Sequence, residues 1–371
     1  MTFFTEEKKN ETHIEFPTAK IEETIGYSFK IKGLLLQAFT RSSYAKEHDI
    51  SIDNEQLEFI GDSILGMIIA KLLAKRYQRP KFNYFKNVEY HNSFNCELDE
   101  SELSEMKINF VKKSSLAEVI GELGIEKHLI MSNGDMAKKI YEEASVKEDL
   151  FEAIIGAIAI DSDWDMPTLE RVVSKLIDVD KRLECGFSDE PDYEEQLKEW
   201  FKLKEMELVF EEEDSNLLNL DYCYSVCLGH DFLEKEVEGY GKTPKEAHRM
   251  LARRAVKFME TCESRAIKVF ETIGELNFNR AVNQLQELYQ KKVIPEPQYT
   301  FNAIGTSDTG NPLWECICTI PGIVQDNGGY VADSKSEAKK RAAFDALSYL
   351  IGRNLAVLFE KYGTKISMEE K

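Results

Sequence analysis

With 371 residues, 43% of them hydrophobic, the chain is long enough for two or three domains, which excludes a single small module. A formal charge of -20 and a pI near 4.9 exclude attraction to polyanions by overall charge, so any grip on phosphate must be local. The longest apolar stretch, Ser63 to Ala74, is interrupted by Lys71 and falls short of the about 20 residues that a bilayer span takes, which excludes a membrane segment there. Seven cysteines without a CxxC pair or zinc-ligand spacing, and no secretory leader ahead of the acidic N-terminus, predict a reduced, cytoplasmic protein with no membrane partner.

In chain order, residues 1–17 read as a flexible polar tail. From 18 to 183 apolar residues recur at three and four, in Ile52 to Tyr77, Leu103 to Ile130 and Ile140 to Ile160, which predicts an all-α domain. Polar, Pro-containing Cys185 to Asp192 separates it from a different grammar of short helix, alternating strands and longer helix. That grammar occurs twice, at 193–261 in an acidic, atypical copy and at 279–352, joined by a partly helical linker at 262–278 and followed by a tail at 353–371. In the second copy Asn279 to Lys291 reads as a helix. Gln298 to Ile304, Pro312 to Ile320 and Gly328 to Asp333 read as strands, and Ser334 to Leu350 as the closing helix. The fold class is therefore multidomain, an all-α domain followed by two αβββα (α+β) modules.

Two acidic clusters stand out. In Asn54-Glu55-Gln56-Leu57-Glu58-Phe59-Ile60-Gly61-Asp62 the carboxylates of Glu55, Glu58 and Asp62 fall at i, i+3 and i+7, on one helix face. Glu148-Asp149-Leu150-Phe151-Glu152-Ala153-Ile154-Ile155-Gly156 places Asp149 and Glu152 one turn apart. Spacing alone leaves a solvated acidic surface open, because a chain with 67 acidic residues produces such pairs by chance. Both helices are otherwise apolar, however, so they belong in a core. Gly61 and Gly156 each cost a helix roughly 1 kcal/mol relative to Ala, which points to close approach of another backbone. Converging Asp and Glu oxygens suit hard, octahedral Mg²⁺, and a pair of such ions activates a water and stabilises the leaving oxygen in phosphodiester hydrolysis.

These two runs resemble the ribonuclease III signature and that family's second acidic motif, in the family's order. Asp99-Glu100-Ser101-Glu102-Leu103-Ser104 resembles its short acidic turn, and Ala38-Phe39-Thr40-Arg41-Ser42-Ser43-Tyr44 its early motif. The resemblance implies a ribonuclease III domain followed by two double-stranded-RNA-binding domains, a layout similar to the budding-yeast type of Dicer. Carried over residue by residue, it assigns metal binding and catalysis to Glu58, Asp62, Asp149 and Glu152, with Glu55 and Glu100 orienting waters and the RNA strand. It further implies two Mg²⁺ per active centre, with Mn²⁺ as a substitute, and a homodimer formed through the nuclease domain, with Leu57, Phe59 and Ile60 as packing residues. The expected reaction is hydrolysis of double-stranded RNA leaving 5′-phosphates and two-nucleotide 3′ overhangs, in maturation of rRNA or other structured precursors. A dicer-like producer of small RNAs and a non-catalytic RNA-binding scaffold are the alternatives. The chain departs from the family at Arg41, where the early motif lacks its histidine, and in an insertion at about 78–98 (Lys81, Phe82, Tyr84, Phe85, Lys86, Tyr90) that reads either as an RNA-touching stretch or as a surface subdomain.

In the second module Ser334 and Glu337 form a capping box that leaves a helix N-terminus facing phosphate, with Lys335, Lys339 and Lys340 following. The resemblance assigns Gln286 and Glu287 to minor-groove 2′-hydroxyls and Gly305 to Asn311 to the next minor groove, with recognition by shape over about 16 base pairs. Trp314 reads as core. In the first module Pro244 and His248 replace usual lysines, Lys245 remains, and Lys198 and Glu199 match the first-helix positions. Glu211, Glu212, Glu213 and Asp214 oppose phosphate there, which leaves weak RNA contact or a protein-binding role.

Overall fold

The computed structural model describes residues 16–78, 94–213, 220–229, 235–306, 312–324 and 329–352. The tails at 1–15 and 353–371, insertion residues 79–93, Asp214, loop residues 307–311 and Gly328 lie outside the described residues. The chain divides into two compact units. One comprises Met1–Asp192, Glu213–Cys223 and Tyr240–Arg249, the other Tyr193–Glu212, Tyr224–Gly239 and Met250–Lys371.

The first unit is built from helices α1 (Thr18–Ile25), α2 (Lys32–Ala38), α3 (Ser42–Glu47), α4 (Glu55–Arg76), α5 (Glu100–Val111), α6 (Lys113–Leu123), α7 (Asn133–Lys138), α8 (Ala144–Asp161), α9 (Met166–Ile177) and α10 (Val179–Cys185). The acidic first turn of α4 and its basic last turn, Lys75 and Arg76, both complement the helix dipole. α8 is buried on nearly every side from Leu150 to Ala159, as an apolar helix without a polar face must be. The helical period over 103–130 breaks at Lys112, whose extended backbone (φ -68, ψ 151) ends α5 and starts α6. α5 opens on a reciprocal capping box: the Glu102 amide donates to Asp99 Oδ1 at 2.8 Å and the Asp99 amide to Glu102 Oε2 at 3.1 Å. Gln78 and Cys96 pair as an isolated antiparallel bridge, so the two ends of the insertion meet.

α4 and α8 cross at two glycines. A Cβ on Gly61 would lie 1.8 Å from the Glu152 carbonyl oxygen, and one on Gly156 would lie 2.0 Å from that of Leu57. Neither position has room for any side chain, so the backbones touch and the residues flanking each glycine are pressed together. That crossing positions the site.

The remaining elements are α11 (Tyr193–Leu203), β1 (Glu211–Glu213), β2 (Tyr222–Cys227), β3 (Glu236–Gly241), α12 (Pro244–Ile273), α13 (Ala281–Gln290), β4 (Gln298–Thr306), β5 (Pro312–Thr319), β6 (Tyr330–Ala332) and α14 (Lys335–Gly352). They form two three-stranded sheets, β1-β2-β3 and β4-β5-β6. The second sheet is antiparallel, with a register shift between Ala303 and Gly305. In the second unit Leu197 and Phe201 of α11 share a core with Val226, Val237 and the Leu251, Ala255 and Met259 face of α12. A separate core joins Leu285 and Leu288 of α13 to Cys316 and Cys318 of β5 and Ala342 and Leu347 of α14. α12 runs unbroken through most of the range read as a linker, because Ala266 is buried and Val269 enters that second core. None of the seven cysteines is in a disulfide. Among the described residues no helix is long and apolar enough to cross a membrane.

Candidate active site and nucleic-acid interface

The glycine crossing brings the two acidic runs together. Glu58 lies one turn before Gly61 and Asp62 directly after it, while Glu152 lies one turn before Gly156 and Asp149 one turn earlier still. Glu152 is buried, Glu58 and Asp149 are half-buried, and Asp62 and Glu55 are exposed. The consequence is mutual repulsion. Burial, followed by the charges of Asp62, Glu148, Glu58 and Asp149, pushes the Glu152 carboxyl up to about 8. Glu58 is also raised, by burial and then by Asp149 and Glu55, with Arg41 opposing. Asp149 is raised by burial, with Arg41 opposing and Glu148 adding to the rise.

Arg41, noted in the sequence only as a departure from the early motif, is a cation of this site. Its Nη1 lies 3.8 Å from Asp149 Oδ2, and its Nε is buried without a hydrogen-bond partner. The backbone aims it: the Arg41 amide donates to the Ile130 carbonyl at 2.9 Å and the Asn54 amide to the Thr40 carbonyl at 2.8 Å, tying this strand-like segment beside the start of α4. A basic residue directly after Thr40, where the early motif carries histidine, was the available signal. Lys113 lies 3.4 Å from Glu148, the other carboxylate that the earlier assignment omitted. Glu100 stands in the exposed first turn of α5, where its carboxylate accepts from Ser104 Oγ at 3.1 Å.

Leu57, expected at an interface between subunits, is instead in its own unit's core at 2% exposure. Phe59 is 76% exposed and Met67 50%, so the outward face of α4 is apolar at Phe59 and Met67. Among the described residues no three His, Cys, Asp or Glu side chains are grouped closely enough to hold an ion as they stand. The donor chemistry nonetheless fits a hard divalent cation: oxygen ligands only, negative charge left uncompensated, and a buried carboxyl whose ionisation awaits a counter-charge.

In the second unit, α14 carries a basic face over aromatic rings. Lys335 Nζ sits 4.0 Å from the centroid of Trp314 and 5.8 Å from that of Phe301, and Lys339 Nζ sits 4.3 Å from that of Tyr299. Trp314 is thus only partly buried; it flanks the core and also seats a lysine. The Glu337 amide donates to Ser334 Oγ at 3.2 Å, as the capping pattern requires. Lys340 is half-buried and Gln286 exposed, while Glu287 pairs with Lys291 at 2.9 Å. Of the first-module residues, exposed Lys198 lies 4.0 Å from Glu195, and Lys245 Nζ donates to Cys185 Sγ at 3.2 Å.

Comparison with known proteins agrees with this division. The family described as Ribonuclease-III-like matches residues 32–177, and the Double-stranded RNA binding motif matches residues 281–350. A "Ribonuclease 3" of Roseburia hominis is 33% identical over 89% of this chain and 97% of its own length; one of Treponema succinifaciens is 32% identical over 89% and 90%. The crystal structure of the nuclease domain of ribonuclease III from Campylobacter jejuni is 28% identical and covers 44% of this chain and 94% of its own, with a TM-score of 0.35. A helical unit with converging carboxylates, followed by a module of the RNA-binding type that carries a basic helix face, defines an endoribonuclease directed at double-stranded RNA. The chain belongs to the ribonuclease III family.

Proposed function

We propose that the protein cuts double-stranded RNA by divalent-metal-dependent hydrolysis, with Glu58, Asp62, Asp149 and Glu152 as the metal-binding carboxylates. The observation that carries this reading is the buried, charge-repelled Glu152, pushed up to about 8 at the crossing of α4 and α8. Two Mg²⁺ ions, or Mn²⁺ in their place, would supply an activated water and charge neutralisation at the leaving oxygen. The residues of the chain do the rest. Glu152 holds a proton on its carboxyl at neutral pH, and Arg41 restrains Asp149 and Glu58. Glu55, exposed one turn before Glu58, and Glu100 are assigned the orienting of water and the strand by their motifs.

The RNA grip is assigned to the 279–352 module, through Lys335, Lys339 and Lys340 on phosphates and Gln286 and Glu287 on 2′-hydroxyls. Lys335 and Lys339 are pre-positioned by their aromatic seats, which lowers the entropy lost on binding. The module at 193–261 has the same αβββα order and is read as a second, acidic RNA-binding-type domain, in which Lys198 takes at most a minor share of the grip. Exposed Phe59 and Met67 support a homodimer through the nuclease domain, each centre cutting one strand to leave 5′-phosphates and two-nucleotide 3′ overhangs. Maturation of rRNA or other structured precursors in the cytoplasm is the favoured role. The test is cleavage of long duplex RNA and of a structured precursor, with and without Mg²⁺, recording fragment lengths and ends. Metal-dependent cuts with two-nucleotide overhangs are expected, and cutting in the presence of a chelator would contradict the reading.

A further inference from the structure

The far end of α4 meets a second buried carboxylate, Glu246, unrelated to the first site. Arg76, the last residue of α4, points its Nε at Glu246 Oε1 (2.8 Å) and its Nη2 at Glu246 Oε2 (2.5 Å), a two-pronged pair in which Arg76 is 8% and Glu246 1% exposed. Tyr77 donates its hydroxyl to Glu246 Oε1 at 2.7 Å, and the Lys242 backbone amide donates to Oε2 at 3.0 Å. Arg76 Nη1 also reaches Asp180 Oδ1 at 2.5 Å. One turn along α12, Arg249 pairs with Glu190 and lies so close over Gly186 that a Cβ there would fall 2.2 Å from its Nη2. All of these residues belong to the first compact unit.

Glu246 and Glu337 are equivalent residues, each the third from its helix cap. The Glu246 amide donates to Thr243 Oγ1 at 3.2 Å, just as the Glu337 amide does to Ser334 Oγ. Their side chains then part. Glu337 stays half-exposed and turns to Arg341 on its own helix at 3.6 Å, whereas Glu246 is sealed by an arginine and a tyrosine 170 and 169 positions away in sequence. Pro244 has also removed one amide from that helix end. A helix start filled by its own buried carboxylate and an internal arginine has neither the space nor the charge for a phosphate.

We infer that the first turn of α12 is an internal docking element, held to the nuclease unit by the Arg76–Glu246 pair, and that it makes no RNA phosphate contact at the position where the second module grips. This rests on the reading of the second module as the grip, and two measurements separate the two claims. Affinity for a short RNA duplex, measured in chelator over a range of salt, is expected to lose about one unit of log–log slope in K335A and in K339A and none in K245A. Loss of slope in K245A equal to that in K335A would overturn the docking inference. Independently of RNA, amide hydrogen exchange at residues 245–249 and at Tyr77 is expected to be slow in the wild type and to accelerate at least tenfold in E246Q. Unchanged exchange in E246Q would also overturn it. Should E246Q not fold, R76K keeps the charge and loses the fork, and the same amides must accelerate. Absence of any slope change in K335A and K339A would remove the grip from the second module while the exchange result still decides the docking.

Discussion

Glu152 and Glu246 are both buried carboxylates against α4, near its opposite ends, and their surroundings are opposites. Glu246 is met by Arg76, Tyr77 and a backbone amide, so its charge is answered from within the chain. Glu152 is met by four more carboxylates and is pushed up to about 8. Folding would not arrange the second situation for stability, since a buried charge without a partner is among the costliest features a protein can carry. Under the proposed function, the difference separates a structural carboxylate from one kept for a ligand that arrives from outside.

The comparison can be broken in several ways. The largest effect is expected from E152Q, which should lower cleavage of duplex RNA by at least about a thousandfold, ~4 kcal/mol of barrier, while leaving RNA affinity within about twofold. Persisting cleavage in that variant would reassign the site. Next, E246Q should destabilise the protein by about 3–5 kcal/mol, because it strips the charge from the partner of buried Arg76; replacing the pair together as R76M/E246L should cost much less. Urea unfolding reads both, and equal losses in the two variants would mean that the pair is not coupled.

A third expectation concerns pH. The folded Glu152 titrates near 8 against an ordinary value of 4.5, so it stays protonated while the unfolded chain ionises. The metal-free protein should therefore lose stability as pH rises from about 4.5 to about 8 and level off above. Mg²⁺ should raise the melting temperature more at pH 8 than at pH 5.5, and E152Q should show a shallower pH dependence. A metal-free wild type that gains stability across that window would contradict the assignment. The smallest effect is the salt response: K335A or K339A should each weaken RNA binding and flatten its salt dependence by about one phosphate contact.

Much of the candidate site was legible in the sequence because its information is local. Glu58 and Asp62, like Asp149 and Glu152, lie within a turn or so of each other, and Gly61 and Gly156 mark the crossing by a residue choice that an isolated helix would disfavour. Arg41 was less legible, since its role depends on the Ile130 and Asn54 backbones that aim it. The Arg76–Glu246 pair was not legible, because the partners are 170 positions apart and each alone reads as an ordinary helix-end charge. The same limit applies to α12, whose continuation to Ile273 is set by burial of Ala266 and Val269 in tertiary structure rather than by its own propensity. Leu57 and Phe59 illustrate it again: two apolar residues two positions apart face opposite ways, one into the core and one outward.

The most direct test is calorimetric titration of Mg²⁺ into the RNA-free protein at pH 7 in buffers of different ionisation enthalpy. Because ion binding at the crossing of α4 and α8 must drive the proton from Glu152, the heat should vary with buffer and report release of close to one proton, and E152Q should release none. Heat independent of buffer, or the same in wild type and E152Q, would show that cations do not bind where the two acidic helix faces meet.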